Sequence, residues 1–393
     1  MIRAVLIDLD NTLIRSPEAD FAAAFGDLAD AALAPRLKLQ SVQEALRQVI
    51  QRLTEERLRI ENNLQLIYQT LASAVGQPPE TVQTALNAFY IEDYPQLCPL
   101  IDPVAHSQAL IDTLINQQIA VVIAADSICP PLGIKQRLIW GRIDASHAAL
   151  ITDASTMHFA KPDPAYYAEI VARIGVEPDE ALMIGDHPIN DIQAAEAVGL
   201  HTLRVDPLHP QPLQPALELF SSSRWRSSWP DQAPTPSAIL HALRGNLGAL
   251  AGLIEQAPPN TWHQHPVANE WSLAQIVTHL IQSEADTQRA RIETILHHED
   301  TASLPLLVDR PGNDQVVHPP HGISLPELFE MFVQERYRTL ALLKSLAPAD
   351  WARRAHHSVF GYTTLCEMAA FTAQHDRMHI QQFCQTLGRC SDE

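Results

Sequence analysis

Lysine is nearly missing from this chain: four residues, Lys38, Lys135, Lys161 and Lys344, in a sequence of 393. Lys and Arg together number 27 against 46 Asp and Glu, a formal charge of −19. Nucleic acid and anionic membranes are held by clustered cations, so this balance excludes both as principal partners. The five cysteines (Cys98, Cys129, Cys366, Cys384 and Cys390) are few, odd in number and without C-x-x-C spacing. That argues against a disulfide framework and a thiolate zinc site, and makes a reducing cytoplasm the expected compartment. No run of about 18 apolar residues occurs, as a membrane span requires. The first residues enter an apolar pattern at once, without the basic and apolar regions of a secretion signal. The expectation is a soluble, unprocessed protein. Its length exceeds one ordinary core, so two domains are expected.

What the chain does have is a short apolar run, Val5-Leu6-Ile7, that leads into Asp8-Leu9-Asp10-Asn11-Thr12. Such a run reads as a buried parallel strand, which puts Asp8 and Asp10 at its carboxyl end, where open α/β sheets bind ligands. Residues i and i+2 of a strand share a face. Two carboxylates so placed repel unless a cation holds both ionised, and a hard ion such as Mg2+ fits. An isolated D-x-D-x-T is equally a strand followed by an Asx-type turn. Three later stretches decide against that plainer reading: Val121-Val122-Ile123-Ala124-Ala125-Asp126-Ser127, Lys161-Pro162-Asp163-Pro164, and Met183-Ile184-Gly185-Asp186-His187-Pro188-Ile189-Asn190-Asp191.

In that order and spacing, residues 1–206 resemble the haloacid dehalogenase-like (HAD) hydrolase superfamily, and within it the phosphatase-type members with an inserted helical cap. The resemblance implies an α/β Rossmann-like parallel sheet. Residues 16–100, nearly free of glycine until Gly76 and with Leu46, Val49, Ile50 and Leu53 at helical spacing, are the expected cap. The resemblance further implies an aspartyl-phosphate mechanism. Asp8 is the nucleophile, Asp10 the acid and base, and Lys161 the cation on the phosphoryl group. Asp8, Asp10, Asp186 and Asp191 surround Mg2+, and the substrate is a small phosphorylated metabolite. Asp191 is equally placed to cap the helix that follows it. One departure stands out. Where the family carries Thr or Ser at the end of the second core strand, commonly followed by Asn, this chain has Ala125 and Asp126. The expected phosphoryl contacts are therefore Asp126 and Ser127, with Ser127 replacing the lost hydroxyl if the strand end bulges.

Between 207 and 235 the chain turns rich in proline and serine: 213–220 reads as a short helix closing the first domain and the stretch after it as a semi-rigid linker, with the boundary near residue 233. Four helical patterns follow, opened by Thr235-Pro236 and by the capping boxes Ser272-x-x-Gln275, Ser324-x-x-Glu327 and Thr364-x-x-Glu367. They predict a four-helix bundle over 236–393. His375 and His379 stand four apart on its last helix, on the face shared with Met368, Phe371 and Thr372. His279 can reach them from the second helix. Stacked inward imidazoles either pack as satisfied core residues or share a metal. With Glu270-Trp271-Ser272 and the run from His375 to Gln382, this segment resembles the DinB/YfiT-like superfamily. That resemblance implies a three-histidine site for Zn2+ or Ni2+ on His279, His375 and His379, and thiol-dependent transfer as one family activity. Three function readings follow from the sequence: a Mg2+-dependent phosphatase acting on a small phosphorylated metabolite; a degraded phosphatase whose chemistry is transfer with a low-molecular-weight thiol at the three-histidine metal; and a non-catalytic binding protein.

Overall fold

The computed structural model describes residues 1–54, 61–222, 224–226, 229–230, 232–267, 270–299, 303–308 and 317–391. They form two compact units, Met1–Gln232 and Ala233–Glu393.

In the first unit five parallel strands make one sheet, in the order Leu150–Ile151, Ala120–Ile123, Ala4–Ile7, Ala181–Gly185, His201–Arg204. The first strand of the chain is thus the middle one. Ala120–Ile123 pairs on one side and Ala181–Gly185 on the other, which opens a crevice at the carboxyl ends. Both faces of the middle strand are covered. Val5 and Ile7 belong to one apolar cluster, Ala4 and Leu6 to another. Each wholly buried Leu or Ile there contributes roughly 1.5–3 kcal/mol, which is why a run without polar alternation is stable only inside a doubly covered sheet. The two-residue edge strand Leu150–Ile151 was not legible in the sequence, being too short for any periodicity.

Between the first two strands lie the helices Glu18–Leu37, Gln43–Thr54, Asn63–Val75 and Pro79–Ala88. Asn62 caps the third through Gln65 N, and Pro79 starts the fourth at a position where its missing N–H costs nothing. Part of the expected cap, residues 55–60, lies outside the described residues. Phe21, Phe25, Phe89, Tyr90, Tyr94 and Trp140 form a continuous aromatic cluster, with Tyr94 stacked on Trp140 at 5.4 Å. After the last core strand, helix Gln214–Ser221 buries Ala216 and Phe220, and Trp225 is buried as well. The helix read at 213–220 packs into the first unit, which runs to Gln232, and buried Trp225 belongs to the same apolar cluster although it falls in the stretch read as linker. Ser223, Ser227 and Ser228 lie outside the described residues.

The second unit holds helices Pro236–Gln256, Leu273–Ser283, Leu325–Lys344 and Leu365–Ser391, with the second continued by a wide turn into Arg289–Leu296. All four sequence-derived starts are capped. Thr235 accepts from Ala238 N, Ser272 and Ser324 form reciprocal boxes with Gln275 and Glu327, and Glu367 with Thr364 does the same. Pro236–Gln256 is long and apolar enough to cross a membrane, but 78% of its most apolar window is buried, as in the core helix of a bundle. A small sheet of Leu306–Leu307, Arg354–His357 and Gly361–Thr364 sits beside the helices. The helical reading contained no such sheet, since its strands span only two to four residues.

Candidate active site and histidine cluster

Asp8 follows directly on the middle strand. Lys161 Nζ donates to its Oδ1 at 2.6 Å and to Asp191 Oδ1 at 2.7 Å, and all three side chains are buried. Burial works against the lysine charge, but Asp8, Tyr167 and Asp191 outweigh it and hold the ammonium pKa well above its usual value. Burial also pushes the Asp8 carboxyl well above the carboxylate range; Lys161 opposes this push, and Asp191 and Asp10 add to it. Asp186, just past its strand, is pushed up to about 6 by burial and by Asp191. Oxygens of Asp8, Asp186 and Asp191 lie within 4.8 Å of one another. A single ammonium among three carboxylates leaves an excess of negative charge. Oxygen donors gathered in this way suit a hard divalent cation.

Local backbone makes that gathering feasible. A Cβ at Gly185 would fall 2.4 Å from Asp191 Oδ2, so the glycine is there to let a carboxylate approach the strand end. Asp191 accepts from His187 N at 3.0 Å as well as from Lys161; it lies within the helical turn Pro188–Gln193, whose N-cap is His187, and does not cap the helix after it.

Asp10 is held by a different partner from Asp8. The strand ends at Ile7 and the chain turns, with Asn11 in the left-handed region at φ 59°. Asp10 lines the same cavity as Asp8 but is not among the three carboxylates gathered within 4.8 Å. Its Oδ2 accepts from Arg137 Nη1 at 2.5 Å, while its Oδ1 is buried without a hydrogen-bond partner. Arg137, on helix Pro131–Trp140, also lies over the Phe21 ring at 4.3 Å.

At the second strand the expected phosphoryl contacts separate. Ser127 is wholly buried; its hydroxyl donates to Phe159 O at 2.7 Å and accepts from Asn63 Nδ2 at 3.2 Å. It is turned into the protein and does not replace the hydroxyl missing at Ala125. The Thr152 hydroxyl close by donates to Ala125 O at 2.8 Å. Asp126 does line the cavity, together with Asp8 and Lys161. Burial, opposed by Lys161, pushes its carboxyl up to about 6, and its Oδ1 has no hydrogen-bond partner.

In the second unit one nitrogen from each of His279, His375 and His379 lies within 4.8 Å of the other two, and the Nε2 atoms of His279 and His375 are 3.3 Å apart. Burial and neighbouring imidazoles push His279 and His375 down to about 3, and burial lowers His379. The rings are accordingly neutral and keep lone pairs. Gln382 Oε1 faces His379 Nδ1 at 2.8 Å, which leaves Nε2 of that ring to accept. Trp271 walls the cluster, its ring centroid 4.8 Å from that of His279. Imidazole nitrogens converging in this way suit a transition metal.

Residues 2–199 match the haloacid dehalogenase-like hydrolase family, slightly more than half of the chain. The chain belongs to that family. Residues 242–383 match the DinB superfamily. Among characterised proteins, the hydrolase part is similar to a glyceraldehyde 3-phosphate phosphatase of Methanopyrus kandleri, 27% identical over 52% of this chain and 84% of the relative. It is also similar to a phosphoglycolate phosphatase of Rhodospirillum rubrum, 28% identical over 51% and 78%. A phosphoserine phosphatase of Thermus thermophilus is 25% identical over 36% of this chain and 53% of its own length.

Two features of this HAD-like hydrolase escaped the sequence reading. Arg137 has no motif and meets Asp10 across 127 residues of chain. In the second unit Arg336, wholly buried, binds Glu284 through Nε and Nη2 at 2.9 Å and Asp376 through both terminal nitrogens. Asp376 stands beside His375 in sequence, and a carboxylate on the buried side of a histidine helix was the available signal.

Proposed function

We propose that this hydrolase is a Mg2+-dependent phosphatase that cleaves the monoester of a small phosphorylated metabolite through an aspartyl-phosphate on Asp8. The observation that carries this is Lys161, held between Asp8 and Asp191 in a cavity that also contains Asp10 and Asp186. Asp8, Asp186 and Asp191 would hold the Mg2+. When bound, it supplies positive charge opposite the phosphoryl oxygens.

A carboxylate oxygen of Asp8 attacks phosphorus and the bond to the leaving oxygen breaks. Asp10 gives that oxygen its proton from Oδ1, the oxygen that Arg137 does not engage. Water then attacks the phosphorus, its proton passes to Asp10, and the bond to Asp8 breaks to release inorganic phosphate. Lys161 offsets charge on the transferring group at both steps. Asp126 lines the same cavity, and below its raised pKa of about 6 its protonated form donates one hydrogen bond to a phosphoryl oxygen; Ser127 has no part. We further propose that residues 1–206 form this catalytic domain and that the segment from 236 onward is a separate bundle holding Zn2+ or Ni2+ on His279, His375 and His379.

The test is hydrolysis of an aryl phosphate with Mg2+ by the wild type and by Asp8→Asn, both confirmed folded. Activity that falls by more than about a thousandfold in the variant is expected; equal activity in the two would sink the mechanism. One observation favours a second reading. With Ala125 in place and Ser127 turned inward, no side-chain hydroxyl reaches the phosphoryl site from this strand end. Were both proteins inactive, the chemistry would lie with a low-molecular-weight thiol at the three-histidine site.

A further inference from the structure

A cavity of about 510 Å3 is lined both by Asp8, Asp10, Lys161 and Asp186 and by the helical insertion that follows the first strand. That volume is in the range of small-molecule sites. Most of the insertion's contribution is hydrocarbon, with Phe21, Phe25, Leu46, Val49, Ile67 and Leu86 drawn from four different helices, while Ser16 adds a buried polar side chain. Tyr90 and Tyr94 add rings packed into the aromatic cluster, with burial keeping both hydroxyls neutral. The polar side chains that the insertion's helices place on the cavity, Glu18, Gln43 and Arg47, are all solvent-exposed.

Each cation on the wall, among the described residues, is already matched. Lys161 is held by Asp8 and Asp191, Arg137 by Asp10, and Arg47 by Glu44. A carboxylate on the substrate's organic part would be desolvated there with no free cation to receive it, which is costly. A hydroxyl would lose its water and be disfavoured by about a hundredfold. Methylene or aromatic groups gain from the same surroundings.

We propose that the group esterified to the phosphate is apolar, an alkyl, prenyl or aryl chain that fills this cavity while the phosphate meets Asp8 and Lys161. The assignment rests on the phosphatase reading and narrows its substrate from any small phosphate ester to a hydrophobic one. It also gives the insertion a task besides excluding water: its four helices hold the chain in line with the nucleophile.

Binding of non-hydrolysable alkylphosphonates to the wild-type chain with Mg2+, by titration calorimetry, tests the cavity without needing turnover. From methyl- to hexylphosphonate the affinity should rise about fourfold per methylene, and phosphonoacetate should bind more weakly than butylphosphonate. Affinity independent of chain length, or tighter binding of phosphonoacetate, overturns the proposal. Leu46→Trp, which fills part of the cavity, should move the tightest binding to shorter chains. An unchanged preference in the folded variant would place the chain elsewhere and also overturn it; if the variant does not fold, the wild-type series decides. Rising affinity without aryl phosphate hydrolysis would remove the phosphatase reading and leave the apolar cavity standing. Hydrolysis with flat affinity would do the reverse.

Discussion

The carboxylate cluster and the histidine cluster meet opposite electrostatic problems. In the first unit burial pushes acids up, Asp186 to about 6 and Asp8 well above its usual range, because anions crowd a dry crevice. In the second, burial pushes His279 and His375 down to about 3, because a dry bundle disfavours imidazolium. One site is left with unbalanced negative charge, the other with neutral lone pairs. The two donor sets differ in chemistry: clustered carboxylate oxygens suit a hard ion, and neutral imidazole nitrogens suit a transition metal. Each unit also buries its own resident cation between two carboxylates, Lys161 between Asp8 and Asp191, and Arg336 between Glu284 and Asp376.

A matched pair of substitutions tests that parallel most severely. Lys161→Met and Arg336→Met each strip a buried cation from two carboxylates, and each should cost about 3–5 kcal/mol of stability in thermal or urea unfolding. The two should then diverge, with Mg2+ recovering stability in the lysine variant, where the carboxylates belong to an open cavity, and not in the arginine variant, where the guanidinium is wholly buried. Recovery of both by Mg2+, or of neither, would end the comparison.

A smaller effect separates the two sites by metal type. His279→Ala should weaken transition-metal binding by about tenfold or more, read by metal content after dialysis, without changing Mg2+ binding. Full retention of transition metal would show that the three imidazoles are only core packing.

The smallest effect concerns proton linkage away from both sites. Glu169, wholly buried, accepts from Arg173 and His158, which, against the cost of burial, hold its carboxyl below the usual range. A lowered folded pKa adds stability that is complete above the usual glutamate value and is lost as pH falls from there through the lowered folded pKa. Glu169→Gln should therefore be less stable than wild type at neutral pH, and the gap should narrow on acidification. A gap that does not change with pH would mean that the pair carries no linkage.

Much of the local structure could be read directly from the sequence. The capping boxes at Ser272, Ser324 and Thr364, the apolar run before Asp8, and the i, i+4 histidines on the last helix all declare themselves within a few residues, since capping and helical periodicity are short-range physics. Lys161 was legible because lysine is so scarce that one inside K-P-D-P is conspicuous. The residues that escaped notice are those whose partners are remote. Arg137 reads as one more helix residue until the fold sets it on Asp10, and Arg336 as one more charge until two carboxylates close on it.

By itself, then, the amino-acid order determined the elements, the family resemblance, and which acids and imidazoles were candidates. Tertiary structure decided which of them work together. It set Asp10 against Arg137, turned Ser127 into the protein, and reserved Gly185 for the approach of Asp191. It also gathered apolar residues from four helices into one cavity over the carboxylates. The physical reason is common to all of these. Helix caps and periodicities are settled within one or two turns of chain, whereas burial, charge pairing and cavity shape depend on groups that only the sheet order and the helix packing bring within reach.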